Sequence, residues 1–179
     1  HNLTVAPELM IIKATNDGQN WLVYPGDADE YLLLNTYAAQ AAYSFFNSTE
    51  PTSTQFTIGS SWSASGKEYT ALLFSTLDGI SKVGTYSGTG SDVDVDCGFT
   101  SGARFVLVKR TDSTGHWYVW DSARGIATGN EPYAELNKTS GEVGGSDYID
   151  PLNSGFTITS SAPTNMNASG GTYLFLAIA

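Results

Sequence analysis

Basic residues are scarce in this sequence, which has 8 lysines and arginines against 18 aspartates and glutamates and a formal net charge of -10. Nucleic acid is not expected as a partner, because affinity for it comes mainly from neutralisation of phosphates by Lys and Arg. The same charge disfavours binding to an anionic membrane surface. The expected partner is neutral or cationic, or is contacted through a local patch.

Cysteine and long apolar runs are also lacking. Cys97 is the only cysteine, so no intrachain disulfide can form and stability must come from the core, from oligomerisation or from a bound ion. No apolar run approaches the ~18 residues of a membrane helix, so membrane insertion is not expected. We expect no signal peptide, and because the chain begins at His1 rather than Met we expect a fragment of a longer polypeptide.

Residues for nucleophilic or zinc chemistry are few and scattered. The sequence has no G-x-S-x-G motif, and its only histidines are His1 and His116. His116 stands in a turn before Trp117 and is interpreted as a solvated turn residue rather than a general base. Glycosidases need two carboxylates, but among 18 acidic residues chance pairs are expected. We therefore predict that the protein is not an enzyme, with no catalytic residues and no cofactor apart from an optional calcium ion.

One pattern occurs twice along the chain, which indicates a duplication. The aligned pairs include Lys13 with Lys109, Trp21 with Trp117, Asn35 with Asn137, and Tyr69 with Tyr173. The order of these landmarks is preserved, and the spacing changes only where loops are expected. The sequence predicts a single domain, residues 1–179, made of two repeats at about 1–90 and 91–179.

Short apolar segments separated by turn-rich connections predict strands throughout. "ELMIIK" and "WLVY" flank "TNDGQN", and "RFVLVK" and "WYVW" flank "TDSTGH", so each pair predicts a hairpin. "QFTIG" and "YTALLF" continue the series, whereas "AAQAAYSFF" comes closest to a helical period and is a candidate for one short helix. The pattern predicts an all-β sandwich, a jelly roll or another Greek-key arrangement, with little helix.

The order of these motifs resembles that of a known family. "HNLTVAPELMIIKATN", "GISKVGTYSGTGS", "CGFTSGARFVLVKRTDSTGHWYVWDSARG" and "NASGGTYLFLAIA" resemble a duplicated β-domain of uncharacterised function. That domain occurs in tail-fibre and virion-surface proteins of tailed bacteriophages, often marine ones. The resemblance covers nearly the whole chain, although "PGDADE" departs from the usual pattern of the family. It implies a homotrimeric module located in the virion, within a tail fibre or surface appendage.

The function implied by this resemblance is structural support and host attachment, by binding a bacterial surface glycan or protein without catalysis. Two alternatives stay open at this point. One is a carbohydrate-active enzyme or esterase acting on host surface polysaccharide. The other is a structural spacer or decoration domain without a ligand.

Aromatic residues that the two repeats do not share are the candidate receptor contacts. Trp62 lies in a Ser-rich segment, and Tyr37 and Tyr43 lie in the loop region after "YLLLN". The alternative is that these rings pack into a trimer interface. The remaining tryptophans hold positions retained in both repeats and are predicted to be core residues: Trp21, Trp117 and Trp120.

The strongest local charge signal is "DVDVD". In a strand, Asp92, Asp94 and Asp96 share one face. They either form a solvated edge strand that deters aggregation or hold a calcium ion, which prefers six to eight oxygen ligands. "DADE" at 27–30 is a second candidate oxygen cluster, with an ordinary surface loop as the alternative.

Lys109 first suggests an anionic ligand, but the presence of Lys13 at the same place favours a structural role. The stem of each lysine is expected to cover apolar surface while its head reaches water or a neighbouring Asp. Arg124 lacks a basic counterpart and is expected to pair with Asp121 or Asp112.

Overall fold

The computed structural model describes residues 1–179, and its regular structure is almost entirely antiparallel β-strand. The chain divides into two compact units, His1–Ser75 and Thr76–Ala179. The only α-helix is α1, the single turn Thr164–Asn167. The predicted all-β class with little helix is confirmed. No helix has the length and apolar character needed to cross a membrane.

The first unit contains one five-stranded sheet in the order β4-β3-β2-β1-β5. Its strands are β1 (Leu9–Ala14), β2 (Leu22–Tyr24), β3 (Glu30–Leu33), β4 (Ala41–Ala42) and β5 (Tyr69–Phe74). Met10, Ile12 and Leu22 form part of its core on one face of the sheet. Phe46 and Trp62, from the segment between β4 and β5, pack against that face. Loop side chains therefore close this core where a second sheet would otherwise be needed.

The second unit contains two sheets, in the orders β11-β10-β9-β8-β14-β6 and β12-β13-β7. Its strands are β6 (Ser81–Ser87), β7 (Val93–Asp96), β8 (Phe105–Arg110), β9 (Trp117–Asp121), β10 (Glu131–Glu135), β11 (Val143–Ser146), β12 (Ile149–Leu152), β13 (Gly155–Ile158) and β14 (Thr172–Ile178). The predicted hairpins are confirmed, because β1 pairs with β2 and β8 pairs with β9.

The inner faces of these two sheets share one hydrophobic core, which makes the second unit a β-sandwich. Val106 and Trp120 contribute from the larger sheet, and Ile149 and Phe156 from the smaller one. Phe156 meets Phe175 edge to face with ring centroids 5.4 Å apart. This aromatic pair joins β13 in one sheet to β14 in the other.

The two units share a strand order and several hydrogen bonds. The order β3-β2-β1-β5 in the first matches β10-β9-β8-β14 in the second. In the first matching pair, Trp21 N donates to Asn35 Oδ1 and Trp117 N donates to Asn137 Oδ1, both at 3.0 Å. In the second matching pair, Ala64 N donates to Tyr69 Oη (3.3 Å) and Ala168 N donates to Tyr173 Oη (2.7 Å). The second unit adds β6 outside β14 through seven register pairs. Because β6 pairs with β14, it belongs to the second unit, which begins at Thr76.

Two segments differ from the strand and helix predictions. "AAQAAYSFF" forms no helix, because Ala41 and Ala42 pair with Tyr31 and Glu30 at the edge of the sheet. "QFTIG" forms no strand, and Gly59 N instead donates to Phe45 O at 2.6 Å within the loop. Tertiary pairing therefore overrides the local pattern in both places.

The tryptophans retained in both repeats are not all core residues. Trp117 and Trp120 are buried, as predicted, but Trp21 is 39% exposed, so the prediction for Trp21 is wrong. Trp21 stands just before β2 begins, whereas Trp117 is the first residue of β9. The two tryptophans align in the sequence, but the environments of their side chains differ.

Cys97, directly after β7, is buried. Its pKa is raised to about 11 by burial and by the neighbouring charge of Asp96. The thiol is therefore in its unreactive, protonated form at physiological pH.

Candidate functional site

The three predicted receptor-contact aromatics do not share one surface. Tyr37 and Tyr43 are 60% and 50% exposed, whereas Trp62 is only 8% exposed and belongs to the core of the first unit. Trp62 is therefore a supporting residue and not a surface contact. It is unmatched in the other unit because here loop residues, rather than a second sheet, cover the sheet.

The ring of Tyr43 is held in place by other aromatic rings. It packs against Phe45 with ring centroids 4.3 Å apart. Phe45 in turn meets Tyr31 and Trp62 edge to face, at 4.8 and 4.9 Å. Tyr43 N also donates to Asp29 O at 2.8 Å. An exposed ring is thus anchored to the buried core through one intermediate ring.

The surface between the two tyrosines is small and apolar. Ala38, Ala41 and Ala42 are exposed there, and β4 is the edge strand of its sheet. Gln40 donates to the carboxylate of Glu30 and supplies a polar group beside the rings. We call residues 37–43 the Tyr37–Tyr43 strip. Exposed tyrosine rings with an apolar face and a polar hydroxyl are candidates for ligand contact.

The acidic segment at 27–30 is a self-contained turn. Asp27 Oδ1 accepts a hydrogen bond from Asp29 N at 2.8 Å. Glu50 accepts from Ala28 N at 2.9 Å and from the hydroxyl of Tyr24. Burial and the Glu50 carboxylate raise the pKa of that hydroxyl. Backbone and tyrosine donors therefore already engage Asp27 and Glu50, which fits the surface-loop interpretation.

The acidic strand predicted from "DVDVD" is β7, at the free edge of the three-stranded sheet. Asp92, Asp94 and Asp96 are all exposed, as the alternation requires. Their Oδ1 atoms accept from Ser160 N (2.7 Å), Thr157 Oγ1 (2.7 Å) and Gly98 N (2.8 Å), respectively. No group of three or more His, Cys, Asp or Glu side chains is arranged to hold a metal. Calcium binding by these aspartates stays a prediction.

His116 is a hydrogen-bonded residue at the base of the β8–β9 hairpin. Asn137 Nδ2 donates to its Nδ1 at 2.8 Å, and the Oδ1 of the same asparagine accepts from Trp117 N. The imidazole is half-buried rather than freely solvated. It helps Asn137 fix the start of β9.

Lys109 differs most from its sequence interpretation. It is fully buried, and its Nζ donates to Gly115 O at 2.8 Å instead of reaching water or an aspartate. Burial, with a smaller effect of the nearby Arg110, lowers the pKa of Lys109 to about 8. The Nζ of Lys13 likewise donates to Asp17 O and Gln19 O, both at 2.7 Å. Each lysine therefore hydrogen-bonds to the loop of the hairpin whose first strand contains it.

Most other basic residues form ion pairs. Arg124 pairs with Asp121, as predicted, and also with Glu142 at 2.7 Å. Arg110 forms a two-bond contact with Asp112 at 3.0 Å and also donates to Thr164 O at 2.8 Å. These contacts are structural and leave the guanidinium groups little freedom to bind a ligand.

Glu131 is a buried acid that the sequence did not single out. Its Oε1 accepts from Tyr148 N (2.9 Å) and Ile149 N (3.2 Å), where the chain passes from β11 to β12, while its Oε2 has no partner. Burial raises its pKa, and the charges of Asp147 and Asp150 raise it further against the two backbone bonds. Glu131 thus holds the connection between β11 and β12, which belong to different sheets of the second unit.

Comparison with known proteins places the chain in one group. The model of a family described as a domain of unknown function, DUF7483, matches residues 1–179. No curated protein and no solved structure matches the chain. The family match spans both compact units.

Proposed function

We propose that this protein, which belongs to the DUF7483 family, is a non-catalytic structural and host-attachment module of a phage tail fibre or virion appendage. Its ligand is a glycan of the bacterial surface, with a surface protein as the alternative. The phage setting rests on the sequence resemblance. The observation that carries the binding role is the half-exposed ring of Tyr43, anchored to the core through Phe45.

A ring fixed in this way suits recognition of a sugar. Binding must offset the entropy lost when side chains are immobilised, and a ring already held by its neighbours loses less. Tyrosine combines an apolar face with a hydroxyl, so it can pack on the apolar face of a sugar and hydrogen-bond to it. The alanines of the Tyr37–Tyr43 strip leave room for a flat ligand beside that ring. The strip is short, which favours a glycan over a protein interface of about 800 Å² per partner.

Replacing Tyr43 by alanine is expected to weaken binding of purified host surface polysaccharide by about tenfold, because central aromatic contacts contribute more than 1 kcal/mol each. Biolayer interferometry with the immobilised polysaccharide measures this change. The matched control is Leu72→Ala, which removes an exposed apolar side chain from β5 at the opposite edge of the same sheet. Equal binding by the Tyr43 variant and the unaltered protein would contradict the assignment.

The same binding experiment separates the alternative functions. Release of sugar fragments during incubation would identify a carbohydrate-active enzyme. Absence of binding to intact host cells would favour a spacer or decoration domain. Saturable binding without product formation supports attachment.

We also propose that the two units arose by duplication and that the protein forms a homotrimer. The shared strand order and the matched Asn35 and Asn137 contacts support the duplication. The trimer is the assembly implied by the fibre resemblance. Sedimentation equilibrium at micromolar concentration is expected to give three times the 19.0 kDa chain mass, and a stable monomer would contradict this proposal.

A further inference from the structure

A cleft of about 370 Å³ lies in the second unit, at the open edge of its sandwich. β6 ends the six-stranded sheet there and β7 ends the three-stranded sheet, and neither has another strand beyond it. The residues that matter for the lining are Lys82, Gly84, Thr85, Asp94, Asp96 and Phe175. Asp94 and Asp96 therefore line a concave site, and Asp92 does not.

Gly84 is the lining residue of this cleft that has no side chain. It is the register partner of Phe175 on β14, and a Cβ at this position would come within 3.0 Å of two Phe175 ring carbons. The aromatic ring therefore lies directly beside a backbone without a side chain. Lys82, two residues before Gly84 on β6, lies beside the same position, with its side chain 3.8 Å from where that Cβ would be.

The charged groups of the cleft keep unused hydrogen-bonding atoms. Asp94 and Asp96 use their Oδ1 atoms for hydrogen bonds within the chain, and their Oδ2 atoms accept none. The side chain of Lys82 forms no hydrogen bond and no ion pair, although the side chains of six of the eight basic residues do. Charges of both signs thus line one recess without neutralising each other directly.

We propose that this cleft binds a small, electrically neutral, hydroxyl-rich ligand, namely a single sugar ring. The carboxylates of Asp94 and Asp96 repel an anion, and the ammonium group of Lys82 repels a cation. An uncharged polar ligand is repelled by neither. Sugar hydroxyls would donate to the Oδ2 atoms of Asp94 and Asp96 and accept from the Nζ of Lys82, and such charge-assisted hydrogen bonds are the stronger kind. The volume is at the lower end of the ~300–1,000 Å³ typical of ligand pockets, which suits one ring. The proposal rests on the proposed glycan-binding function and gives it a second contact site.

The test is an NMR titration of the whole chain with the methyl glycosides of glucose, galactose, mannose and N-acetylglucosamine. At least one of these probes is expected to shift the backbone amide signals of β6 and β7 saturably at millimolar concentration. Asp94→Asn and Asp96→Asn should each weaken that binding by about tenfold, since each replaces a charged hydrogen-bond acceptor with a neutral one. Asparagine keeps an Oδ1 atom to accept the bond from Thr157 or Gly98, so folding should persist.

Asp92→Asn is the matched control, because it makes the same charge change at an exposed aspartate just before β7, outside the cleft. Unchanged affinity in this variant supports the proposal, and equal weakening would overturn it as a general charge effect. No shift of β6 and β7 amides with any probe would also overturn it. So would calcium chloride shifting these amides when no sugar does, because the cleft would then be a cation site.

Combining the Tyr43→Ala binding result with the titration of β6 and β7 separates a failure of the cleft proposal from a failure of the proposed function. If Tyr43→Ala abolishes polysaccharide binding while β6 and β7 show no titration, only the cleft proposal fails. If the glycosides titrate the cleft but Tyr43→Ala binds polysaccharide normally, the cleft stands and the assignment of attachment to the strip fails.

Discussion

Replacing Phe156 by alanine is expected to lower the free energy of unfolding by about 3–5 kcal/mol, the usual cost of truncating a fully buried phenylalanine. Its side chain is completely buried and meets Phe175 across the space between the two sheets of the second unit. The truncation leaves a cavity at the point where the sheets are joined. Urea denaturation followed by near-ultraviolet circular dichroism measures the loss.

The control for this variant is Leu136→Ala, which shortens a side chain that is 47% exposed. A surface change of this kind usually costs less than about 0.5 kcal/mol. A Phe156 variant as stable as the Leu136 variant would contradict the described packing of the two sheets.

The free energy of unfolding is expected to rise by roughly 3 kcal/mol between about pH 8 and pH 10.4 because of Lys109. Burial lowers its folded pKa to about 8, below its ordinary value in the unfolded chain. The unfolded state therefore binds the proton more tightly across this window, so folding becomes more favourable as the proton is lost. Below pH 8 the penalty of burying the charged amine is fully present.

Lys109→Met removes this titration. The difference in unfolding free energy between the unaltered protein and the variant should grow with pH over that window, while effects of tyrosine ionisation cancel in the comparison. Near pH 7 the variant gains by losing a buried charge but leaves Gly115 O without its donor, which costs about 1–3 kcal/mol. Chemical denaturation at several pH values measures the difference. A pH-independent difference would show that another group is responsible for the rise.

Local sequence patterns were sufficient for several strands and for both hairpins. The paired segments around "TNDGQN" and "TDSTGH", and the alternation in "DVDVD", predict β1–β2, β8–β9 and the edge strand β7. They fail where long-range pairing decides, as in the edge strand Ala41–Ala42, where a helix was a candidate. Neither the burial of the Lys109 head nor the exposure of Trp21 is encoded in local alternation. The first accompanies the hydrogen bond from Lys109 to Gly115 O in the hairpin loop, and the second the start of β2 after Trp21.

The candidate sites were predicted only in part. The comparison of the two aligned segments singled out Tyr37 and Tyr43, which are exposed, and their role as ligand contacts stays a prediction; the same comparison placed Trp62 on the surface, but Trp62 is buried. The sequence could not show that loop rings replace a second sheet in the first unit. Nor could it show that Lys82 and Asp94 line one cleft, because that juxtaposition depends on β6 and β7 ending different sheets on the same side.

The single thiol of the chain has a practical consequence. Cys97 lies within the core of the second unit and has a pKa of about 11, so a thiol-directed reagent meets almost no accessible thiolate while that unit stays closed. The first unit contains no cysteine. The rate at which such a reagent labels the unaltered protein therefore reports the opening of the second unit alone, without any engineered probe.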